Sequence, residues 1–491
     1  MVKIAILGIG TVGSGTADIF EDNGDVICRT VGQPVQVKYI LCRRMRPNSR
    51  FADRIVLDFE TIVSDPEIRV VAECMGGVHP AYDYAAAALR AGKHVVTSNK
   101  QLVAECGLEL TRLARENHVC FLFEGSVGGG IPVIRPITRC LAANRLESVY
   151  GILNGTTNYI LTEMIQCGKG FGQALAEAQE KGYAELDPTA DVEGIDACRK
   201  ICILADLCFG YNVDPAQVRT QGISSITSED VDYARRMGYR IKLLGRSLRL
   251  PDGRITAYVA PHFVEKENPL GGVDGVLNGI VIHGNAVGDT VFCGPGAGAL
   301  QTGSAVAADI LDCLTELRIN AAKELLAEAG YPDGFDMTIA VSSNYQPHMD
   351  TAEVVVQQLA AIGIRATVQP VDATTWYNDV YVGRQFDATI TGLDAKNITA
   401  RAMLERFVSD NGKNFVNYNN PAYDELYAKA RACADDAEQT ALYQQMETML
   451  TETAANLYLQ DMADLVAIHS GLTGYTFYPI YAQDLSTVGW E

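Results

Sequence analysis

Val2-Lys3-Ile4-Ala5-Ile6-Leu7-Gly8-Ile9-Gly10-Thr11-Val12-Gly13-Ser14-Gly15 opens the chain. It reads as a short apolar strand, a glycine-rich turn, and a helix running through Phe20. Gly8, Gly10 and Gly13 give the spacing G-x-G-x-x-G. The glycines allow a tight turn and close backbone approach, and the helix start at Thr11 and Val12 offers free N–H groups to a pyrophosphate. Alone the spacing is weak evidence; with a strand before it and a helix after it, it predicts an α/β, Rossmann-type dinucleotide-binding domain. A second strand, Val35 to Leu41, ends in Cys42-Arg43-Arg44-Met45-Arg46, where an NAD-specific site usually places an acid for the ribose hydroxyl. Arg43 and Arg44 suit a 2′-phosphate, so NADP(H) is the expected cofactor, with NAD(H) use left open. The competing reading is two solvated arginines at a strand end.

Further strands are expected at Val70 to Cys74, followed by Met75-Gly76-Gly77, and at His94 to Val96, with a helix from Pro80 to Ala91 between them. After the latter strand comes Thr97-Ser98-Asn99-Lys100. In a parallel sheet the ligand crevice lies beyond the carboxyl ends of the strands, so Lys100 would face the cofactor. Glu124-Gly125-Ser126-Val127-Gly128-Gly129-Gly130-Ile131-Pro132 combines one carboxylate with a flexible backbone whose carbonyls could cage a cation, although glycine turns usually need no ion.

A new domain is expected from Arg145, with a strand at Ser148 to Leu153 and the polar turn Asn154-Gly155-Thr156-Thr157-Asn158 opening a helix. Gly182-Tyr183-Ala184-Glu185-Leu186-Asp187-Pro188 then leads into Thr189-Ala190-Asp191-Val192-Glu193-Gly194-Ile195-Asp196-Ala197-Cys198-Arg199-Lys200. Asp196 and Lys200, four apart, share one helix face. Carboxylates could hold the amino group of a small zwitterion while the lysine serves a carbonyl oxygen as proton donor or acceptor. An exposed ion pair beside a helix cap has the same spacing and would be worth little.

The last of these stretches resembles the signature of homoserine dehydrogenase, and the resemblance extends from the first residue to about Asp312. It implies reversible hydride transfer between a nicotinamide and L-aspartate 4-semialdehyde, giving L-homoserine, with a Rossmann domain (1–144, completed by 295–312) and an α+β catalytic domain (145–294). It implies catalytic lysines at Lys200 and, through the T-x-N-K segment, Lys100. Substrate contacts are implied at Glu185, Asp196, Asp191, Tyr183, Gly155 and Thr156. Cofactor contacts are implied at Gly76, Thr97, Ser98, Lys100, Gly182 and Gly296, beside the glycine turn and the two arginines. A sodium site would use the side chain of Glu124 and the carbonyls of Val127, Gly129 and Ile131. Gly294-Pro295-Gly296-Ala297-Gly298 would return the chain to the nicotinamide, and a helix from Gln301 to Asp312 would pack on the first domain. A homodimer through the catalytic domain is the implied assembly. The ACT domain of many bacterial members is not legible beyond Asp312.

At 491 residues, two or three domains are expected. With 48% hydrophobic and 20% charged residues the chain reads as folded, and no apolar run approaches the ~18–20 residues that span a bilayer. The first residues lack the apolar stretch and cleavage site of an export signal, so a cytoplasmic location is expected. A net charge of −20 disfavours nucleic acid as a partner. Twelve of the 13 cysteines lie at or before Cys313, without the paired spacing of a zinc site, and read as small buried residues. From Glu316 onward, 10 basic residues face 24 acidic ones, and both tryptophans lie there, which places a domain boundary near residue 315.

Beyond it, a helix at Asn320 to Ala329 stopped by Gly330, a strand at Phe335 to Val341, a helix at Met349 to Ala361 and a strand at Ile364 to Val371 form a strand–helix–strand unit. The wording of Ala322 to Phe335, of Leu359 to Ile364, of Gln385 to Ala388 and of Gly474 to Pro479 is similar to the C-terminal portion of family 5 extracellular solute-binding proteins, the peptide and nickel receptors. An α/β partial lobe is implied over 316–491. The competing function is therefore a peptide or nickel-chelate binding module, or a chimera with an inert C-terminal part. Tyr345, Trp376, Tyr377 and Tyr381 read as core or orphan surface before they read as a ligand cradle.

Overall fold

The computed structural model describes residues 1–392, 399–457 and 459, together with the backbone of Leu472–Thr473 and Gly489–Trp490. The chain forms two compact units, Met1–Arg318 and Ile319–Glu491.

The first unit holds two sheets. β1 (Val2–Leu7), α1 (Thr11–Asp22), α2 (Gly24–Val31), β2 (Val35–Leu41), β3 (Ile55–Val56), α3 (Glu60–Val63), β4 (Ile68–Glu73), α4 (Ala81–Arg90), β5 (His94–Thr97), α5 (Lys100–Glu116) and β6 (Phe121–Leu122) build the first. Its strands are all parallel and run β3-β2-β1-β4-β5-β6. The chain reverses its direction of travel across the sheet between β1 and β4, so a crevice opens at their carboxyl ends, where dinucleotides bind in doubly wound folds. Both faces of the central strands are covered, which is why β1 and β4 read as nearly unbroken apolar runs: Ile4, Ala5, Ile6, Leu7, Val70, Val71 and Ala72 are fully buried.

β7 (Leu146–Ile152), α6 (Gly155–Cys167), α7 (Phe171–Glu180), α8 (Thr189–Val192), α9 (Ile195–Phe209), β8 (Arg219–Thr220), α10 (Ser228–Arg236), β9 (Tyr239–Arg249), β10 (Ile255–Glu265), β11 (Leu277–Gly284) and β12 (Gly288–Pro295) build the second sheet and its helices. The sheet order is β12-β11-β7-β9-β10-β8, antiparallel except for the short β10–β8 pair. Helix α9 carries ten buried residues, among them Asp196 and Lys200, because it lies against β7, β9 and β10.

The sequence places separate helices at 301–312 and 320–329 around a break near 315. The structure instead shows one helix of 30 residues, α11 (Ala299–Glu328). The change in charge composition does not interrupt helix propensity, since no glycine or proline stands between Gly303 and Gly330. The division between the two units falls inside this helix.

In the second unit, β13 (Asp336–Ser342), α12 (Gln346–Ala361), β14 (Arg365–Val371), α13 (Ala373–Thr375) and β15 (Ala388–Ile390) give a parallel sheet of order β14-β13-β15. α14 (Ala400–Leu404), α15 (Pro421–Ala432) and α16 (Asp436–Glu452) pack around buried Leu404, Phe407, Tyr423, Tyr427, Met446 and Leu450. Tyr381 packs on Trp376, Tyr377 and Phe415, Trp376 also meets Phe415, and the Trp376 indole donates to Thr389 at 3.0 Å. Tyr345 packs on His348 instead. The stretch Gly474 to Pro479 lies outside the described residues. No described helix is long and apolar enough to cross a membrane.

Candidate active site

The glycine turn forms as its spacing predicts. Gly8 takes φ +96°, and a Cβ on Gly13 would lie 2.0 Å from the Gly8 carbonyl, so only glycine lets α1 start this close to β1. Gly10 caps α1 with no side-chain hydrogen bond, and nothing lies within 4 Å of where its Cβ would be. The first N–H groups of the helix, from Thr11 and Val12 onward, are left for a phosphate. Arg43 and Arg44 follow β2 as exposed side chains and make no ion pair among the described residues. Arg46, two residues on, donates to the carbonyl of Ile9 at 3.3 Å and so ties this segment to the glycine turn. The local residues therefore fit a dinucleotide.

At the carboxyl end of β4 sits Glu73, a residue that its sequence context does not single out. It is fully buried, accepts the Met75 N–H at 2.7 Å and takes the Thr97 hydroxyl on its other oxygen. Burial, only partly offset by those bonds, pushes its carboxyl up to about 7. Thr97 in turn accepts the Asn99 N–H, and the Asn99 amide donates to the Gly77 carbonyl. This network shapes the loops that hold Gly76, Thr97 and Ser98. The available signal was a glutamate closing an apolar run, Val70-Val71-Ala72-Glu73.

Asn99 also caps α5, accepting the Leu102 N–H, and so sets Lys100 at the first helical position. From there Lys100 reaches across to α9 and pairs with Oδ1 of Asp196, while Lys200 Nζ lies 2.9 Å from Oδ2. Lys200 also donates to the Leu153 carbonyl at 2.8 Å. Asn154, the cap of α6, donates to Asp191 at 2.7 Å and Asp196 at 2.9 Å. Two lysines, two carboxylates and an amide from four separate elements thus meet at the junction of the two sheets. Burial works to raise the Asp196 carboxyl, but Lys200, Lys100 and Asn154 hold it well below the usual carboxylate range. Lys200 moves down: burial lowers it, and Asp196 only partly opposes the shift.

The substrate-side residues are less uniformly gathered. Thr156, in the first turn of α6 beside Gly155, donates its hydroxyl to the Tyr183 carbonyl at 2.7 Å, which ties Gly182 and Tyr183 to that helix start. The Tyr183 ring stands edge-on to Tyr159, with centroids 5.0 Å apart. Glu185 is exposed, and its carboxylate makes no hydrogen bond or ion pair among the described residues. Asp196, expected to share the substrate amino group with Glu185, has Lys100 on one oxygen and Lys200 and the Asn154 amide on the other.

At the expected cation loop, Glu124 is buried, and its carboxylate accepts the N–H groups of Val133 at 2.6 Å, Ile134 at 2.8 Å and Arg135 at 2.8 Å. The carbonyls of Val127, Gly129 and Ile131 accept no hydrogen bond among the described residues. Gly129, at φ +57°, lies so close to Gly296 that a Cβ would meet that residue's carbonyl at 2.5 Å. Glycine at 129 lets the two loops touch, while a Cβ on Gly296 would meet the Asn278 side chain at 2.1 Å.

Comparison with known proteins gives the same outline. The model of the homoserine dehydrogenase NAD-binding domain matches residues 8–124, and that of homoserine dehydrogenase matches 132–311. A further match, to the middle part of bacterial extracellular solute-binding proteins of family 5, spans 277–415. The homoserine dehydrogenase of Bacillus subtilis is 41% identical over 322 residues, 65% of this chain and 74% of that protein. That of Pseudomonas aeruginosa is 43% identical over 333 residues, 68% of this chain and 76% of that protein. Among solved structures, the homoserine dehydrogenase of Thiobacillus denitrificans superposes with a TM-score of 0.62 at 42% identity, covering 65% of this chain and 74% of its own. A hyperthermophilic archaeal homoserine dehydrogenase in complex with NADPH superposes at 0.56 and 28% identity, over 64% of this chain and 98% of that one. With a nicotinamide-type turn on one sheet, a paired-lysine centre between the two, and this likeness running through both, the chain belongs to the homoserine dehydrogenase family.

Proposed function

We infer that this chain reversibly reduces L-aspartate 4-semialdehyde to L-homoserine, with Lys200 giving and taking the proton of the substrate oxygen. The bound nicotinamide supplies and accepts the hydride, and everything else falls to the protein. The observation that carries the assignment is Lys200 itself: a buried ammonium, held by Leu153 and Asp196, whose proton burial makes easier to release. A lowered lysine is the better acid toward an alkoxide and the better base toward an alcohol at neutral pH. Lys100 pairs with the other oxygen of Asp196 and supplies a second positive charge for the substrate oxygen. Asp196 acts by positioning the two lysines. Glu185, whose carboxylate is unpaired among the described residues, and Asp191, half-buried beside Asn154, are left for the substrate amino group. The N–H groups at Gly155 and Thr156 suit its carboxylate.

NADP(H) is the preferred cofactor in this reading, supported by Arg43 and Arg44, which have no ion-pair partner among the described residues. A monovalent cation at Val127, Gly129 and Ile131 is supported by their unoccupied carbonyls; Glu124 would contribute through the lone pairs its three N–H donors leave over. Assembly as a homodimer through the catalytic domain is supported by β12, an edge strand with Val291 exposed.

The test is Lys200→Ala. Turnover should fall by roughly 100-fold or more, the scale of a positioned acid–base group, with the dissociation constant for NADPH little changed. Near-wild-type turnover would remove Lys200 from this role.

A further inference from the structure

Three groups that the catalytic centre does not use come together where helix α11 packs on the first sheet. Cys120 lies just before β6, Cys313 on the buried face of α11, and His94 at the start of β5; the two sulfurs and a ring nitrogen all lie within 4.8 Å of one another. Cys313 is fully buried, His94 nearly so, and Cys120 half-buried. Two thiols and an imidazole form a ligand set that zinc accepts. Here, however, Nδ1 of His94 accepts the backbone N–H of Cys120 at 3.1 Å, which puts the proton of the neutral ring on Nε2 and leaves neither nitrogen free for a metal.

We propose that Cys120 and Cys313 form an oxidisable thiol pair, in which Cys120 reacts with a peroxide and Cys313 resolves it to an intramolecular disulfide that joins the entry to β6 to helix α11. The roles follow from the surroundings. Cys120 is the more accessible sulfur, and the Cys313 thiol, donating to it with help from His94 and against burial, draws its proton affinity down. The same bond and burial push Cys313 well up, so it keeps its proton until a partner sulfur is oxidised. The Cys120 thiolate attacks one oxygen of hydrogen peroxide; the O–O bond breaks, the sulfur becomes a sulfenic acid, and the departing hydroxide leaves as water after taking a proton. The Cys313 thiol then gives up its proton and attacks that sulfur, forming the S–S bond, and the second oxygen leaves as water. One peroxide thus oxidises two thiols and yields two waters.

The bond would pin α11 where it covers the cofactor side of the first sheet. A Cβ on Gly303 of this helix would lie 2.8 Å from the Gly15 backbone, and Thr302 and Val306 crowd Gly125 together with Ser98.

The experiment uses full-length, pre-reduced protein treated with stoichiometric hydrogen peroxide, alkylated and digested with trypsin. The expected product links the peptide Glu116–Arg139, which contains Cys120 alone, to Glu267–Arg318, which contains Cys293 and Cys313. The link should persist in Cys293→Ser, vanish in Cys313→Ser and be reversed by dithiothreitol. The oxidised wild-type protein should also show a higher urea midpoint than its reduced form, a difference that Cys313→Ser lacks. Three results would overturn the proposal: sulfinic or sulfonic acid at Cys120 with Cys313 still alkylatable, a Cys120 link between two chains, or stoichiometric zinc binding that shields both thiols. The readouts on wild type and Cys293→Ser decide the matter even if a variant at Cys120 or Cys313 folds poorly.

Discussion

Replacing Asp196 by Asn keeps the shape of the side chain and removes the one negative charge shared by two ammonium groups. Asp196 is 2% exposed, its Oδ2 lies 2.9 Å from Lys200 Nζ, and its Oδ1 pairs with Lys100. Removing one partner of a buried ion pair costs on the order of 3–5 kcal/mol, because the other charge stays desolvated. A unit the size of Met1–Arg318 gains about 0.7 kcal/mol/K of unfolding entropy at about 2.1 cal/mol/K per residue, so Tm should drop by roughly 4–8 °C. Lys200 can relieve part of this by releasing its proton. Burial already lowers it and Asp196 is what opposes the shift, so without that charge it moves further down. The relief removes the proton donor. Turnover in the direction of carbonyl reduction should fall about 10²–10⁴-fold, the scale of lost acid catalysis. Because reduction needs the ammonium form, the alkaline limb of the kcat profile should also move to lower pH. Cofactor absorbance against pH, with a thermal scan of the same preparation, reads both effects. A lower Tm with an unmoved alkaline limb would refute the claim that Asp196 tunes the Lys200 proton, and an unchanged Tm would refute the ion pair as well.

Substituting both Arg43 and Arg44 by alanine should weaken NADPH far more than NADH, since only NADPH has a 2′-phosphate to lose; equal weakening would show that they do not read it. Glu73→Gln should flatten part of the pH dependence of stability. A carboxyl raised to about 7 in the folded chain favours folding fully below its unfolded value near 4.5, and that contribution, roughly 3 kcal/mol, is lost as pH rises to about 7. Melting scans of wild type and variant should therefore agree at the acid end of that window, where both side chains are neutral, and separate as pH rises and the buried carboxylate ionises in wild type alone; parallel curves would place the titration elsewhere. A chain ending after Glu328 should keep full turnover, because every proposed catalytic and binding residue precedes α11. Ending at Leu314 should lower the melting temperature, since it removes Leu317, which packs against the core of the first sheet, and Arg318, which donates to the Val31 carbonyl. Equal activity and melting temperature for the two truncations would show that the second half of α11 contributes nothing to the first unit.

How far the chain could be read depended on how local each feature was. Phosphate binding at a glycine turn uses backbone N–H groups within a few residues of one another, so Gly8, Gly10 and Gly13 carried the first domain on their spacing. Asp196 and Lys200, one helical turn apart, were legible for the same reason. Lys100 meeting Asp196 was not, because α5 belongs to the first sheet and α9 to the second, and only their packing brings a carboxylate between two ammonium groups and withdraws all three from water. Asp196 then pairs with Lys100 of the first sheet's helix as well as with Lys200 of its own. Glu73 looked like the end of an apolar strand, and its raised carboxyl exists only because neighbouring elements bury it. The continuity of α11 through residue 315 was hidden by a composition change to which the backbone is indifferent. Cys120 and Cys313, 193 positions apart, show the limit most plainly. Residue identity states what chemistry a side chain can do; which groups share a desolvated volume, and so shift one another's protons, is decided when the sheets and helices pack.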